Sequence, residues 1–227
     1  MTYVFQFGIV WDHWPRLLDG AWLTLRMSGA ALAIGLALSV LLAFGRRDGP
    51  RWMRLLIGGY IEVIRNTPFL VQLFILYFSL PGLGLRLDAA EAALIGMAMN
   101  FAGYGSEIVR SGMDAVPHGQ VEAARALGLS PLRCFRLVVV PQALRVAWPA
   151  LASQAVLLML GSSLISAISV EELTAVTNSL QSTTFRAFEF YFVATAMYLA
   201  MALALRLLLD ALHWLLFLRG RVAERRE

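Results

Sequence analysis

AWLTLRMSGAALAIGLALSVLLAF, residues 21–44, carries a single charge, Arg26, near its start. As a helix this run is about 36 Å long, enough to cross the ~30 Å hydrocarbon layer of a bilayer. The rest of the chain continues the pattern. Of 227 residues, 59% are hydrophobic and 15% charged, and the mean hydropathy is +0.69. Soluble domains carry about 25% charged residues. The composition therefore excludes disorder and a soluble enzyme, and it fits an integral membrane protein of about five or six helices.

Four further segments follow. Residues 55–80 begin amphipathically, with Arg51, Arg54, Gly58, Glu62 and Arg65 on one helical face. The strongly apolar part, 69–80, is too short to span alone, so the helix is expected to enter the membrane before Pro68. Residues 89–108, 146–168 and 190–218 complete the set. Gly45–Arg51 reads as a polar turn and 169–189 as a polar connection. The chain is read as one all-α transmembrane domain over residues 1–227.

Five spans put the termini on opposite sides. Thirteen of the nineteen arginines lie on alternate loops or the tail: Arg46, Arg47, Arg51 and Arg54; Arg110, Arg125, Arg133, Arg136 and Arg145; Arg219, Arg221, Arg225 and Arg226. Arg16, Arg86 and Arg186 fall on the other side. The positive-inside rule then places the N-terminus outside and the C-terminus in the cytoplasm. The basic pI of 9.7 is accounted for by these loops and calls for no nucleic acid.

Residue usage narrows the chemistry. The chain has no lysine, which excludes a P-loop and a Schiff base. Cys134 is the single cysteine, so no intrachain disulfide forms. His13, His118 and His213 show no metal-ligand spacing, and no cofactor is implied. Residues 1–10 lack the basic start of a cleaved signal peptide.

The most informative loop is VPHGQVEAARALGLSPLRCFRLVVVP, residues 116–141. A short helix is expected over 120–127, with Glu122 near its start and Gly128 beyond its end. Ser130-Pro131 begins a second short helix, stopped by Pro141. Together they predict a compact hairpin on the cytoplasmic face, built to dock a partner.

Glu122-Ala123-Ala124, Gly128 and Pro141 resemble the EAA loop of permease subunits of ATP-binding-cassette importers. Residues 62–72, EVIRNTPFLVQ, look like that family's E-x-x-R-G-T-P-L-L-V-Q stretch. Residues 100–110, NFAGYGSEIVR, are similar to its N-x-x-A-Y-x-x-E-I-x-R, and these variants point to the polar amino-acid subgroup. The resemblance covers roughly residues 20–218. It implies a multi-pass permease of the bacterial inner membrane, working with a dimer of separate ATPase subunits and an extracytoplasmic substrate-binding protein. Glu122, Ala123, Ala124, Gly128 and Pro141 would couple the chain to the ATPase. The residue-level alternative is that they only pack the hairpin.

Polar groups within the spans have two readings each. Glu62/Arg65 and Glu107/Arg110 are spaced i,i+3 as helix-end ion pairs, and Arg206/Asp210 are spaced i,i+4. Gln72 and Asn100 suit helix–helix hydrogen bonding or a substrate path. Ser162 and Ser163 follow Gly161 at a break in segment four, where either close packing or substrate contact fits. Many family members carry K-(D/N)-(T/S)-S-L here. This chain reads Leu160-Gly161-Ser162-Ser163-Leu164, without the Lys and acidic positions. That favours a heterodimer, with a second permease supplying the charged contacts, over a homodimer. Cys134 reads as a buried thiol, and Glu171 and Glu172 as exposed outer carboxylates capping a helix. A passive channel or membrane anchor is the alternative function. An intramembrane enzyme has no converging His/Asp/Glu or Ser/His set to support it.

Overall fold

A computed structural model describes residues 3–218; the basic tail expected to lie in the cytoplasm, Arg219 to Arg226, falls outside the described residues. All regular structure among the described residues is helical. In chain order the elements are α1 (Gly8–Asp12), α2 (Trp14–Asp48), α3 (Arg51–Arg65), α4 (Phe69–Phe74), α5 (Ala89–Asp114), α6 (His118–Ala126), α7 (Pro131–Cys134), α8 (Val140–Gly161), α9 (Leu173–Thr184) and α10 (Ala187–His213). A π-helical stretch, Phe135–Val139, joins α7 to α8, and a 3₁₀ helix, Ser162–Ile168, extends α8. Three helical runs are long and apolar enough to cross a membrane, Trp14–Asp48, Pro131–Ile168 and Ala187–Phe217, or four if the bent pair Arg51–Arg65 and Phe69–Leu83 forms one span.

Several expectations are corrected. Segment one runs from Trp14 to Asp48 and absorbs most of the predicted turn, because Gly49-Pro50 is the true breaker. Segment two is broken: Asn66 caps α3, and Pro68, extended at ψ 135°, starts α4. Pro141 does not stop its helix. Proline withholds one N–H from the ladder; the π-helical turn before it absorbs the misfit, and Gln142 Nε2 donates to Val138 O at 3.0 Å. The polar connection 169–189 contains α9. Its Thr and Ser hydroxyls bond back to the preceding turn, as Thr177 Oγ1 does to Leu173 O at 2.6 Å, while Leu173, Val176 and Leu180 are buried.

The chain packs as two compact units, divided at points inside α2, α5, α8 and α10. The first comprises residues 3–33, 67–98 and 156–205. Its core is built from Leu17, Met159, Leu173, Leu180 and Phe190. Gly20 of α2 allows the close approach of α9: a Cβ there would meet Leu173 Cα at 3.1 Å. Gly96 of α5 does the same for α4, where Leu73 Cδ2 would lie 2.8 Å away.

The second unit comprises residues 34–66, 99–155 and 206–218. Helix α5 is its buried centre, contributing Phe101, Ala102, Ser106, Val109 and Met113. A Cβ on Gly105 would sit 2.3 Å from Ser39 Oγ of α2, and one on Gly112 2.4 Å from Ala143 O of α8. Small residues at such positions let helix backbones close up where lipid provides no hydrophobic drive. Trp148 Nε1 donates to Leu209 O at 3.0 Å, tying α8 to the end of α10.

Candidate functional site

The predicted hairpin is built in the second unit. Helix α6 starts at His118 behind Pro117, so Glu122 lies beyond the first turn and not near the helix start as expected. Gly128 adopts φ +77°. Its N–H bonds Arg125 O at 2.9 Å, and Leu129 N–H bonds Ala124 O at 3.1 Å. This is the paired closure of a Schellman motif, and only its backbone sign demands glycine, since a Cβ would meet nothing within 4 Å. Ala124 is buried against the hairpin, while Glu122 and Ala123 are exposed. Leu127 is 82% exposed beside the turn, an apolar knob that sequence reasoning passed over. Pro141 lies on the exposed side of the continuous helix. Beneath α6 a cavity of about 230 Å³ is lined by Phe44, Arg47, Val121, Arg125, Cys134 and Phe135; Cys134 is buried, as expected.

The path candidates are distributed. Gln72 Nε2 donates to Thr67 Oγ1 at 2.9 Å, closing the start of its own helix. Ser162 Oγ donates to Met159 O at 2.6 Å and Ser163 Oγ to Leu160 O at 2.9 Å. Both hydroxyls thus serve the change from α to 3₁₀ pitch. Helix α4, with Gln72, packs on this 3₁₀ helix within the first unit. Asn100 is half-buried on α5 in the second unit.

The Glu107/Arg110 pair forms at 3.0 Å, and Glu107 also draws Arg46 to 3.3 Å, a charge contact without hydrogen-bond alignment. Arg110 extends the cluster to Asp114 at 2.8 Å. Arg206 and Asp210 pair at 3.3 Å. In place of a Glu62–Arg65 pair, Glu62 accepts from Asn66 Nδ2 at 2.9 Å. The Arg65 guanidinium instead lies over the Tyr104 ring, 5.6 Å from its centroid, and Tyr104 Oη donates to Arg65 O at 3.3 Å.

Two carboxylates are more deeply set than the sequence suggests. Glu172 is fully buried, not exposed, and only Glu171 meets solvent. Glu172 caps α9 by accepting from Ala175 N at 2.9 Å, and it also accepts from the Tyr198 hydroxyl. Thr24 of α2 accepts from Leu173 N at 3.2 Å and lies 3.4 Å from the same carboxylate. Burial pushes the Glu172 carboxyl above its ordinary value, and hydrogen bonds, including those from Tyr198 and Ala175, hold back part of the rise. Glu189, also fully buried, accepts from the Tyr3 hydroxyl and from Gln6 N at 2.9 Å. Their local contacts, Ala175 N–H for Glu172 and Arg186 for Glu189, do not mark burial; the partners that do, Tyr198, Thr24 and Tyr3, stand far away in sequence.

Comparison with known proteins gives one coherent picture. Residues 35–217 match the family model described as binding-protein-dependent transport system inner membrane component. The chain is 35% identical over 225 residues to the octopine transport system permease protein OccM of Rhizobium meliloti, covering 95% of this chain and 92% of that one. It is 35% identical over 211 residues to the glutamine transport system permease protein GlnP of Escherichia coli K12, covering 92% and 96%. Among solved structures, an amino acid ABC transporter matches with a TM-score of 0.83 at 33% identity, covering 93% of this chain and 99% of that one. The MetNI methionine transporter shares the fold, with a TM-score of 0.74 at 20% identity, covering 93% and 99%.

Proposed function

The chain belongs to the family of binding-protein-dependent transport system inner membrane components and is a permease subunit of an ATP-driven amino-acid importer; from that premise we propose how it does this work. It forms part of the translocation path and receives the power stroke of a separate ATPase dimer through residues 116–141. Glu122, Ala123 and the Gly128 turn meet the ATPase, Ala124 anchors the contact from below, and Pro141 lies on the helix that carries the motion inward. The observation that carries this reading is the closed α6–Gly128 turn with Leu127 bare beside it: a preformed knob costs little ordering entropy on docking.

The transmembrane domain spans residues 1–227 and crosses the bacterial inner membrane five times, N-terminus outside. The fifth crossing is α5. At 26 residues it is long enough, and its burial inside protein relieves it of the apolar surface that lipid demands. The arginine distribution supports the orientation. An extracytoplasmic binding protein delivers substrate to the outer side. Gln72, Asn100, Ser162 and Ser163 border the path; the lack of Lys and acidic residues at 160–161 supports a second, different permease that supplies the charged contacts at that level of the path.

The test is a pull-down of the tagged chain from its native membrane in mild detergent, followed by reconstitution and uptake assays. Recovery of a P-loop ATPase and a second permease, with uptake that stops on ATP depletion, is the expected result. Recovery of the chain alone, or uptake indifferent to ATP, would overturn the importer reading. Full activity from a complex holding this permease alone with its ATPase would overturn the heterodimer.

A further inference from the structure

Within the second unit, a cleft of about 340 Å³ is lined by Arg65, Tyr104, Glu107, Ser111, Val146 and Ala150, among others. Its volume sits at the low end of the ~300–1,000 Å³ of small-molecule sites. Two features set it apart. Among the described residues Arg65 enters no ion pair, and its guanidinium is instead held over the Tyr104 ring at 5.6 Å. Stacking of this kind orients a guanidinium while leaving its N–H fork free. Glu107 brings a carboxylate to the same cleft, only partly exposed, steadied from behind by Arg46 and Arg110. One wall is apolar, formed by Ile108, Val146, Ala147 and Ala150.

A fixed cation, a fixed anion and an apolar wall around one small cavity complement a free amino-acid zwitterion. We propose that this cleft is a binding station for the transported amino acid, in which Arg65 takes the α-carboxylate and Glu107 the α-ammonium while the side chain runs along Val146 and Ala150. The inference rests on the importer reading above. The link from Glu107 to Arg46, at the arginine-rich end of α2, puts the station toward the cytoplasmic side, so it acts after the binding protein has released its cargo. None of the four path residues taken from the sequence lines it.

The test uses the purified permease–ATPase complex without its binding protein, with radiolabelled glutamine and octopine as probes, in detergent and in inside-out vesicles. The wild type is expected to bind one probe saturably. Arg65→Gln should weaken that binding by about tenfold or more, the loss of one charge-assisted hydrogen-bond pair, and Arg65→Lys should recover part of it. Val146→Phe, which fills the cleft from an exposed position and leaves every charge in place, should weaken it as well. Uptake by the wild-type complex once its binding protein is restored, with no saturable binding of either probe in its absence, would overturn the station and leave the importer intact. So would unchanged affinity in both Arg65→Gln and Val146→Phe. Loss of co-purifying anionic phospholipid in Arg65→Gln, with probe binding untouched, would make the cleft a lipid site and overturn the proposal. Absence of ATP-dependent amino-acid uptake by the reconstituted wild type with its binding protein restored would remove the importer reading itself.

Discussion

The Tyr198 hydroxyl donates to the buried carboxylate of Glu172, and Thr174 Oγ1 lies 2.8 Å from the same phenolic oxygen. A residue of α10 thereby holds the cap of α9, at the same carboxylate oxygen that Thr24 of α2 approaches. Three elements distant in sequence share one carboxylate.

This arrangement has a pH signature. Burial raises the Glu172 carboxyl above the ordinary 4.5. The folded chain then keeps a proton that the unfolded chain releases, so the stability contribution is full below the unfolded value and falls as pH rises through the raised one. Glu172→Gln keeps the cap acceptor and removes the titration. Thermal unfolding in detergent should show a midpoint that declines across this window in the wild type and less in the Gln variant. Glu172→Ala should lose about 1 kcal/mol at every pH through the missing cap. Parallel wild-type and Gln curves would refute the assignment.

Gly128 tests the coupling turn. At φ +77° a side chain with a Cβ costs roughly 1–2 kcal/mol in this region, and Asn least. Gly128→Asn should retain most uptake. Gly128→Asp places a charge at the proposed ATPase surface and should abolish uptake while the chain still inserts, as membrane fractionation would report.

Leu127 is expected to act through contact alone. Leu127→Ala removes an 82% exposed side chain and should leave the melting midpoint unchanged. Retention of the ATPase on the tagged permease should drop several-fold, in line with about 1 kcal/mol for a partly buried apolar contact. Equal retention would assign the knob to another surface.

Gly112 and Gly119 form a matched pair. A Cβ at Gly112 would lie 2.4 Å from Ala143 O, whereas one at Gly119 would meet nothing within 4 Å. Gly112→Val should cost at least about 1–3 kcal/mol by forcing α5 and α8 apart. Gly119→Ala should gain roughly 0.5–1 kcal/mol through helix propensity. Denaturation in mixed micelles separates the two signs.

Where a side chain's role depends on its neighbours in the chain, the sequence is a good guide. The apolar runs mark α2 and α10, and Gly128 marks the end of α6 because one residue type serves that backbone sign. The i,i+3 spacing finds Glu107 with Arg110. The same rule fails for Glu62 and Arg65, because the Tyr104 ring and Asn66, supplied by packing and by the helix end, compete for the two charges. Helix α9 is hidden because its hydroxyls read as loop residues while they satisfy the helix's own carbonyls. Pro141 misleads because a change in helical pitch just before it removes the conflict. The burial of Glu172 depends on Thr24 and Tyr198, and no window of sequence contains all three.

The uninterrupted run from Pro131 through the π-helical stretch and into α8 gives the hairpin a connecting rod. Over residues 131–155 it measures about 37 Å, with Pro141 and Pro149 carried inside the helix. A hinge at Pro141 would dissipate a push as bending. Under the proposed coupling, a rod without that joint would pass on most of an axial push, with the π-helical residues 135–139 as a softer turn beside the hairpin.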